Sequence, residues 1–112
     1  MKKLTFALIF LVFFGGFLFA QQLPKITIVN NTGYPVYMVF ASPNVDEDWG
    51  EDLLGDRMLE DGQSADITLL LPLSRVNLYD IMLVDTDDDT YSKFAVKITN
   101  NMKVVFTFDD FD

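Results

Sequence analysis

The chain has 112 residues and a formal net charge of −9, with seventeen acidic residues, no cysteine and no histidine. Without histidine or cysteine, its own residues cannot form an imidazole-based or thiol-based catalytic centre or the usual zinc sites. The acidic balance disfavours nucleic acid as a partner, because that affinity depends on Lys and Arg displacing counterions from phosphates.

The chain starts with an apolar segment that has the layout of a secretory signal peptide. Two lysines precede residues 4–20, which carry no charge and end in the small residue Ala20. We predict a signal peptide over residues 1–20 and a single domain over residues 21–112, located in the periplasm or secreted. A segment of this length could instead stay as a transmembrane anchor. A Gly-Gly pair and Ala20 favour cleavage, after which no membrane contact is expected.

Cleavage would leave six basic residues against seventeen acidic ones, a net charge of −11. Such a charge favours a cationic surface or a divalent metal as partner. The absence of cysteine excludes lipid attachment at a lipobox cysteine and also excludes disulfides, on which small exported domains often depend. Packing must therefore supply the stability of one modest core.

Beyond the apolar segment, apolar residues alternate at a period of two, which is typical of strands, and clusters of turn-forming residues separate these stretches. The predicted strands are residues 25–30, 36–42, 64–71, 79–84, 90–98 and 102–108, with a seventh over 75–78 as an alternative. This pattern predicts an all-β fold, an antiparallel β-sandwich of six or seven strands that is immunoglobulin-like or C2-like.

Several finer features follow from the same pattern. Strand 36–42 has apolar residues on both faces, which predicts a central position in its sheet. In strand 90–98, Phe94 is predicted to face the core and Lys93 the solvent. The acidic segment 45–62 leaves the sheet, with one helical or 3₁₀ turn near residues 52–54.

The first candidate site is a run of carboxylates at alternate positions. Asp85, Asp87 and Asp89 offer the oxygen ligands that Ca²⁺ prefers, and Asp48 in the acidic segment could add another. The EF-hand pattern fails at Thr90, where the sharp turn needs glycine. The favoured interpretation of this run is a hairpin turn in which aspartate side chains accept hydrogen bonds from backbone amides, and the metal site is the alternative.

Two aromatic residues are candidates for ligand binding. Trp49 is the sole tryptophan and lies among carboxylates. We favour an anchor that holds its loop to the core, and a platform for a ligand is the alternative. Tyr34 follows a turn, where it would be exposed for recognition. Tyr79 is expected to stabilise a corner by a hydroxyl bond to the backbone, and Asp80 to face solvent or accept bonds from a turn.

Three motifs together carry a family resemblance. They are Asn30-Asn31-Thr32-Gly33-Tyr34, Asp48-Trp49-Gly50-Glu51-Asp52-Leu53-Leu54-Gly55, and Tyr79-Asp80-Ile81 followed by Leu83-Val84-Asp85. Over residues 26–108 the chain resembles a group of small bacterial exported modules of uncharacterised role. The resemblance implies a β-sandwich and no particular reaction. The chain departs from the pattern at Asp88, where the acidic hairpin of the group contains a glycine.

The favoured function is a non-catalytic interaction module that binds a protein or a glycan outside the cytoplasm, through segment 45–62 or an exposed sheet edge. A Ca²⁺-binding β-sandwich, with no cofactor other than that metal, is the alternative. A small carboxylate-dependent glycoside hydrolase is a third hypothesis. It is disfavoured because exposed acidic loops offer little means of raising the pKa of a catalytic carboxyl group.

Overall fold

The computed structural model describes residues 22–112, so the predicted signal peptide lies outside the described residues. Six strands are present there: β1 (Lys25–Asn31), β2 (Val36–Pro43), β3 (Ser64–Thr68), β4 (Leu78–Asp85), β5 (Thr90–Lys97) and β6 (Met102–Thr107). A short 3₁₀ helix (Phe108–Asp110) follows β6. In this range no helix has the length and apolar content needed to cross a bilayer.

The strands form two three-stranded sheets, in the orders β3-β1-β6 and β2-β4-β5. All pairings are antiparallel except that of β1 with β6, which is parallel. The prediction of an all-β sandwich is therefore confirmed. β3 ends earlier than predicted, at Thr68, residues 75–77 form no separate strand, and residues 52–54 form no helical turn.

A single core lies between the two sheets, and both sheets contribute side chains to it. In β1 the buried residues alternate with more exposed ones, as the period of two requires. The almost fully buried side chains include Ile26, Ile28, Val39, Ile67, Tyr79, Ile81, Leu83, Tyr91 and Phe106. Burial of each large apolar side chain contributes about 1.5 to 3 kcal/mol, which supports a fold without disulfides.

The predicted central position of β2 is wrong, because β4 is the central strand of its sheet. The outer edge of β2 is instead covered by the segment that follows it. The Leu53 N–H donates to the Val39 carbonyl at 2.7 Å, and Val36 and Leu59 exchange two backbone hydrogen bonds of 2.8 Å. A strand covered in this way loses contact with water much as a central strand does.

The predicted inward position of Phe94 is also wrong, because its side chain is 65% exposed. Between Tyr79 and Ile81 on β4 the register shifts, so that two residues of β5, Phe94 and Ala95, lie opposite Asp80 alone. Ala95 has a φ of 51°, in the left-handed region. This β-bulge turns Phe94 away from the core.

The bulge also changes the position of Lys93, which was predicted to face solvent. Its Nζ lies 5.4 Å from the centroid of the Phe106 ring and 3.0 Å from Asp110 Oδ1. Both contacts are at the border of the core, where the ammonium group stays partly in water and the aliphatic stem covers apolar surface.

Candidate functional site

The candidate residues lie at opposite ends of β2. Val36 at its start pairs with Asp85, and Pro43 at its end pairs with Tyr79. We call the first region the Asp85 end and the second the Trp49 end. The Asp85 end comprises residues 30–37, 85–92 and 107–112, and the Trp49 end comprises residues 41–53, 70–71, 79–80 and 94–95.

The Asp85 carboxylate is buried, with 1% exposure, and the protein itself supplies its hydrogen-bond donors. Oδ1 accepts from the backbone N–H groups of Asp87 and Asp89 at 2.9 and 3.0 Å. Oδ2 accepts from the Tyr91 hydroxyl at 2.8 Å. The geometry confirms the predicted hairpin turn in which an aspartate side chain holds backbone amides.

The same arrangement changes the pKa of the Tyr91 hydroxyl. Burial raises the pKa of Tyr91 well above its usual value, and the hydrogen bond to Asp85 raises it further. Both effects have the same origin, because a tyrosinate would be poorly solvated there and would face a carboxylate charge. The hydroxyl therefore remains a donor to Asp85 across the ordinary pH range.

The structure brings together three of the four residues predicted to bind a metal. One oxygen each of Asp85, Asp87 and Asp89 lies within 4.8 Å of the others. Asp48 is outside that group and follows the opposite end of β2. Ca²⁺ takes six to eight oxygen ligands. Both oxygens of Asp85 already accept hydrogen bonds, and a bound cation would compete with these donors for the same oxygens.

Asp88 lies in the turn of the hairpin between β4 and β5. It has a φ of 62°, in the left-handed region that glycine adopts most easily and aspartate tolerates. The Tyr37 hydroxyl donates to the Asp88 carboxylate, and this bond is the main cause of a raised pKa of Tyr37. The turn thus keeps its shape with an aspartate in the glycine-like position.

The motif around Tyr34 is organised by a buried asparagine. The Asn30 Nδ2 donates to the carbonyls of Tyr34 and Leu59 at 2.8 and 2.9 Å, and its Oδ1 accepts from the N–H and the hydroxyl of Thr32. The Tyr34 side chain is 44% exposed, with its ring centroid 6.2 Å from that of Phe108. Tyr34 is accessible as predicted, but it lies at the other end of β2 from Trp49.

Trp49 is only partly buried and does not reach the core of the sandwich. Its ring lies 6.2 Å from the ring of Phe94, centroid to centroid, with 47° between the two planes. The favoured prediction is that Trp49 anchors its loop to the core, with a ligand platform as the alternative. Its main ring contact is with the exposed Phe94, so the two rings together form an aromatic surface beside the loop.

An apolar cleft of about 160 Å³ opens beside this surface, between the Trp49 loop and the end of the sandwich. Its lining includes Ala41, Pro43, Trp49, Leu53, Leu70 and Tyr79. Sequence reasoning had singled out Trp49 but not the cleft, because the lining residues come from separate stretches of the chain. No periodic signal connects these stretches.

Tyr79 lines the cleft and is 1% exposed, yet its hydroxyl has no hydrogen-bond partner within residues 22–112. The predicted bond from this hydroxyl to the backbone corresponds to an interaction with the Leu71 backbone, which lowers the pKa of Tyr79 but does not meet hydrogen-bond geometry. Burial is the main cause of a raised pKa of Tyr79. The neighbouring prediction is confirmed, because the Asp80 Oδ1 accepts from Asn44 Nδ2 and from the Ala95 N–H, both at 2.9 Å.

Comparison with known proteins adds no assignment. No protein-family model, curated protein or solved structure matches the chain.

Proposed function

We propose that this protein is a non-catalytic interaction module, periplasmic or secreted, that binds a protein or a glycan at the Trp49 end. The observation that carries the proposal is the apolar cleft next to the aromatic pair of Trp49 and Phe94. Exposed aromatic residues around a cleft are the usual composition of recognition surfaces, because they bury a large area at small entropic cost.

The backbone around Phe94 supports this proposal. A buried Phe94 would contribute to the core, whereas the bulge at Ala95 holds its ring in water, 65% exposed. The bulge requires a left-handed conformation that costs an alanine about 1 to 2 kcal/mol. Bulges near functional sites commonly change the direction of a side chain. Here the bulge directs the Phe94 ring towards Trp49.

The experiment compares two aromatic residues at opposite ends, the partly buried Trp49 and the exposed Tyr34. The purified protein is immobilised, and partners are captured from cell-envelope material by the parent, Trp49→Ala and Tyr34→Ala. We expect Trp49→Ala to lose the captured partner and Tyr34→Ala to keep it, with far-ultraviolet circular dichroism unchanged in both. Loss in Tyr34→Ala alone would move the site to the Asp85 end and contradict the proposal.

A Ca²⁺-binding role is the second candidate, favoured by the three carboxylates within 4.8 Å of one another at the Asp85 end. A native site would raise the melting temperature in millimolar Ca²⁺ relative to EDTA, because a ligand that binds the folded state stabilises it. The increase should disappear in Asp87→Asn combined with Asp89→Asn. Equal midpoints with EDTA and Ca²⁺ would reject the metal role.

The non-catalytic part of the proposal has its own test. The sequence contains neither histidine nor cysteine, which leaves paired carboxylates as the available acid and base groups. A panel of glycoside substrates should show no turnover above buffer. Hydrolysis that disappears on substitution of a single carboxylate would contradict the proposal and favour the third hypothesis.

A further inference from the structure

We propose that the cleft at the Trp49 end binds a proline-containing segment of a partner protein. A proline ring would fill the cleft, and a carbonyl oxygen next to it would accept a hydrogen bond from the Tyr79 hydroxyl. This inference rests on the proposed function, since it names the chemistry of the ligand for the same surface.

The size of the cleft restricts the ligand to one ring or one branched side chain. Its volume is about 160 Å³. An apolar cavity of about 150 Å³ holds a ligand of the size of benzene, whereas drug-sized ligands need about 300 to 1,000 Å³. A proline ring with its adjoining carbonyl is of the smaller size.

The Tyr79 hydroxyl requires a hydrogen-bond acceptor from the ligand. It is the one buried side-chain polar atom in residues 22–112 that lacks a partner. Buried polar groups are almost always paired, so each exception needs a specific explanation. The Leu71 backbone lowers the pKa of Tyr79, which is the effect of an N–H donor to the hydroxyl oxygen, so the hydroxyl proton still lacks an acceptor. Tyr79 and Leu71 both line the cleft.

The negative charge around the cleft favours a neutral hydrogen-bond acceptor on the ligand. Asp46 acts electrostatically on Tyr79, and Glu51 belongs to the lining, so a ligand carboxylate would be repelled. An amide carbonyl accepts the hydrogen bond without bringing a charge. Because proline has no backbone N–H, its burial leaves no donor unpaired.

The walls of the cleft favour proline over a sugar ring of similar size. Leu53, Leu70 and Leu71 offer apolar surface, while a sugar would bring several hydroxyl groups that each need a partner. Trp49 at the same cleft provides an aromatic ring against which a proline ring can pack. Proline-rich segments are recognised in aromatic-lined grooves of this kind, with little entropic cost because their conformation is pre-formed.

The experiment titrates the purified protein with acetylated hexaproline amide, and with a Gly-Ser peptide of equal length and maltohexaose as comparison probes. Trp49 is the sole tryptophan, so its fluorescence reports the cleft directly. Amide chemical shifts of Trp49 and Leu71 locate the bound probe. We expect saturable binding of hexaproline alone and about fivefold weaker binding in Tyr79→Phe, which is the effect of one lost hydrogen bond. Tyr34→Phe is the matched control and should leave the affinity unchanged.

Each of four results would overturn the inference. Saturation by maltohexaose without saturation by hexaproline would show that the cleft recognises a sugar. Equal hexaproline affinity in the parent and in Tyr79→Phe, with the melting temperature retained, would show that the hydroxyl is not the donor. Absence of any hexaproline response, while Trp49 remains necessary for partner capture, would reject the proline ligand and leave the proposed function standing. Capture that is independent of Trp49 would reject the proposed function as well.

Discussion

The two ends of the sandwich treat buried polar groups in opposite ways. At the Asp85 end, the carboxylate of Asp85 receives two backbone N–H groups and the Tyr91 hydroxyl, so its bonding is supplied within the protein. At the Trp49 end, the Tyr79 hydroxyl is equally buried and has no partner in residues 22–112. The hydrogen bonds within the fold therefore account for the buried carboxylate of Asp85, which the sequence pattern singles out. They do not account for the buried hydroxyl of Tyr79.

The ends also differ in how β5 is covered. The Asp112 N–H donates to the Thr90 carbonyl at 3.0 Å, and the Asp112 carboxylate accepts from the hydroxyls of Thr90 and Ser92. Asp112 therefore covers the first half of β5. Further along the same strand, the bulge at Ala95 turns Phe94 into water. The first half of β5 is covered by Asp112, and the second half exposes the apolar side chain of Phe94.

The largest expected effect tests whether Asp85 is structural. Asp85→Ala would leave two backbone amides and the Tyr91 hydroxyl without their acceptor, so we expect the free energy of unfolding to fall by about 3 kcal/mol. Urea denaturation at neutral pH without metal measures this. Asp87→Ala is the control, because its exposed side chain should change stability by less than about 0.5 kcal/mol. Equal effects for both variants would contradict a structural role specific to Asp85.

The next effect concerns the donor to Asp85. Tyr91→Phe should lower the free energy of unfolding by about 1.5 kcal/mol at pH 7, because a buried carboxylate oxygen loses its hydroxyl donor. The pKa of Tyr91 is raised in the folded state above the unfolded value of about 10. The contribution of Tyr91 to the stability of the parent is therefore complete below about pH 10 and is lost as the pH rises through the raised pKa of the folded state.

The pH dependence gives this prediction a second measurement. Tyr91→Phe removes one group that binds its proton more tightly in the folded state, so the difference in stability between variant and parent should shrink above pH 10. Urea denaturation at pH 7, 9 and 10.5 would show it. A difference that stays constant or grows with pH would contradict the assigned bond.

Much of the fold was predictable, because alternation at a period of two is a local signal. Ile26 and Phe106 are buried as their strands require. The position of Phe94 was not predictable, since a left-handed alanine carries no sequence signal and the bulge places Phe94 on the opposite face from Val96 and Ile98, with which it would share a face in a regular strand. The edge position of β2 was not predictable either, because the segment that covers it makes contacts between residues distant in sequence.

The candidate sites divide in the same way. The alternating aspartates predicted the Asp85 turn, because the bonds from Asp85 to Asp87 and Asp89 join neighbours in sequence. The cleft could not be predicted, because Tyr79, Leu53 and Leu70 meet only after the sheets have packed. The missing partner of the Tyr79 hydroxyl is a property of that packing alone.

A smaller effect tests the bulge at the Trp49 end. Ala95→Gly should raise the free energy of unfolding by about 0.5 kcal/mol, because glycine adopts the left-handed conformation without the steric cost that alanine carries, although it loses more entropy on folding. Urea denaturation measures the change, with Ala65→Gly in regular β3 as a control that should destabilise. Destabilisation by both would show that β5 is not bulged at Ala95.

The smallest effect makes the sharpest comparison, because the same substitution is made at two buried tyrosines. Tyr79→Phe removes a hydroxyl that has no partner in the described residues, and it keeps the ring that packs in the core. We expect no loss of stability, with a change of at most about 0.5 kcal/mol in either direction, against the clear loss for Tyr91→Phe. Urea denaturation of both variants on the same day gives the difference directly. If Tyr79→Phe costs as much as Tyr91→Phe, the Tyr79 hydroxyl is bonded within the folded chain, and the two ends do not differ in the way that makes the cleft a binding site.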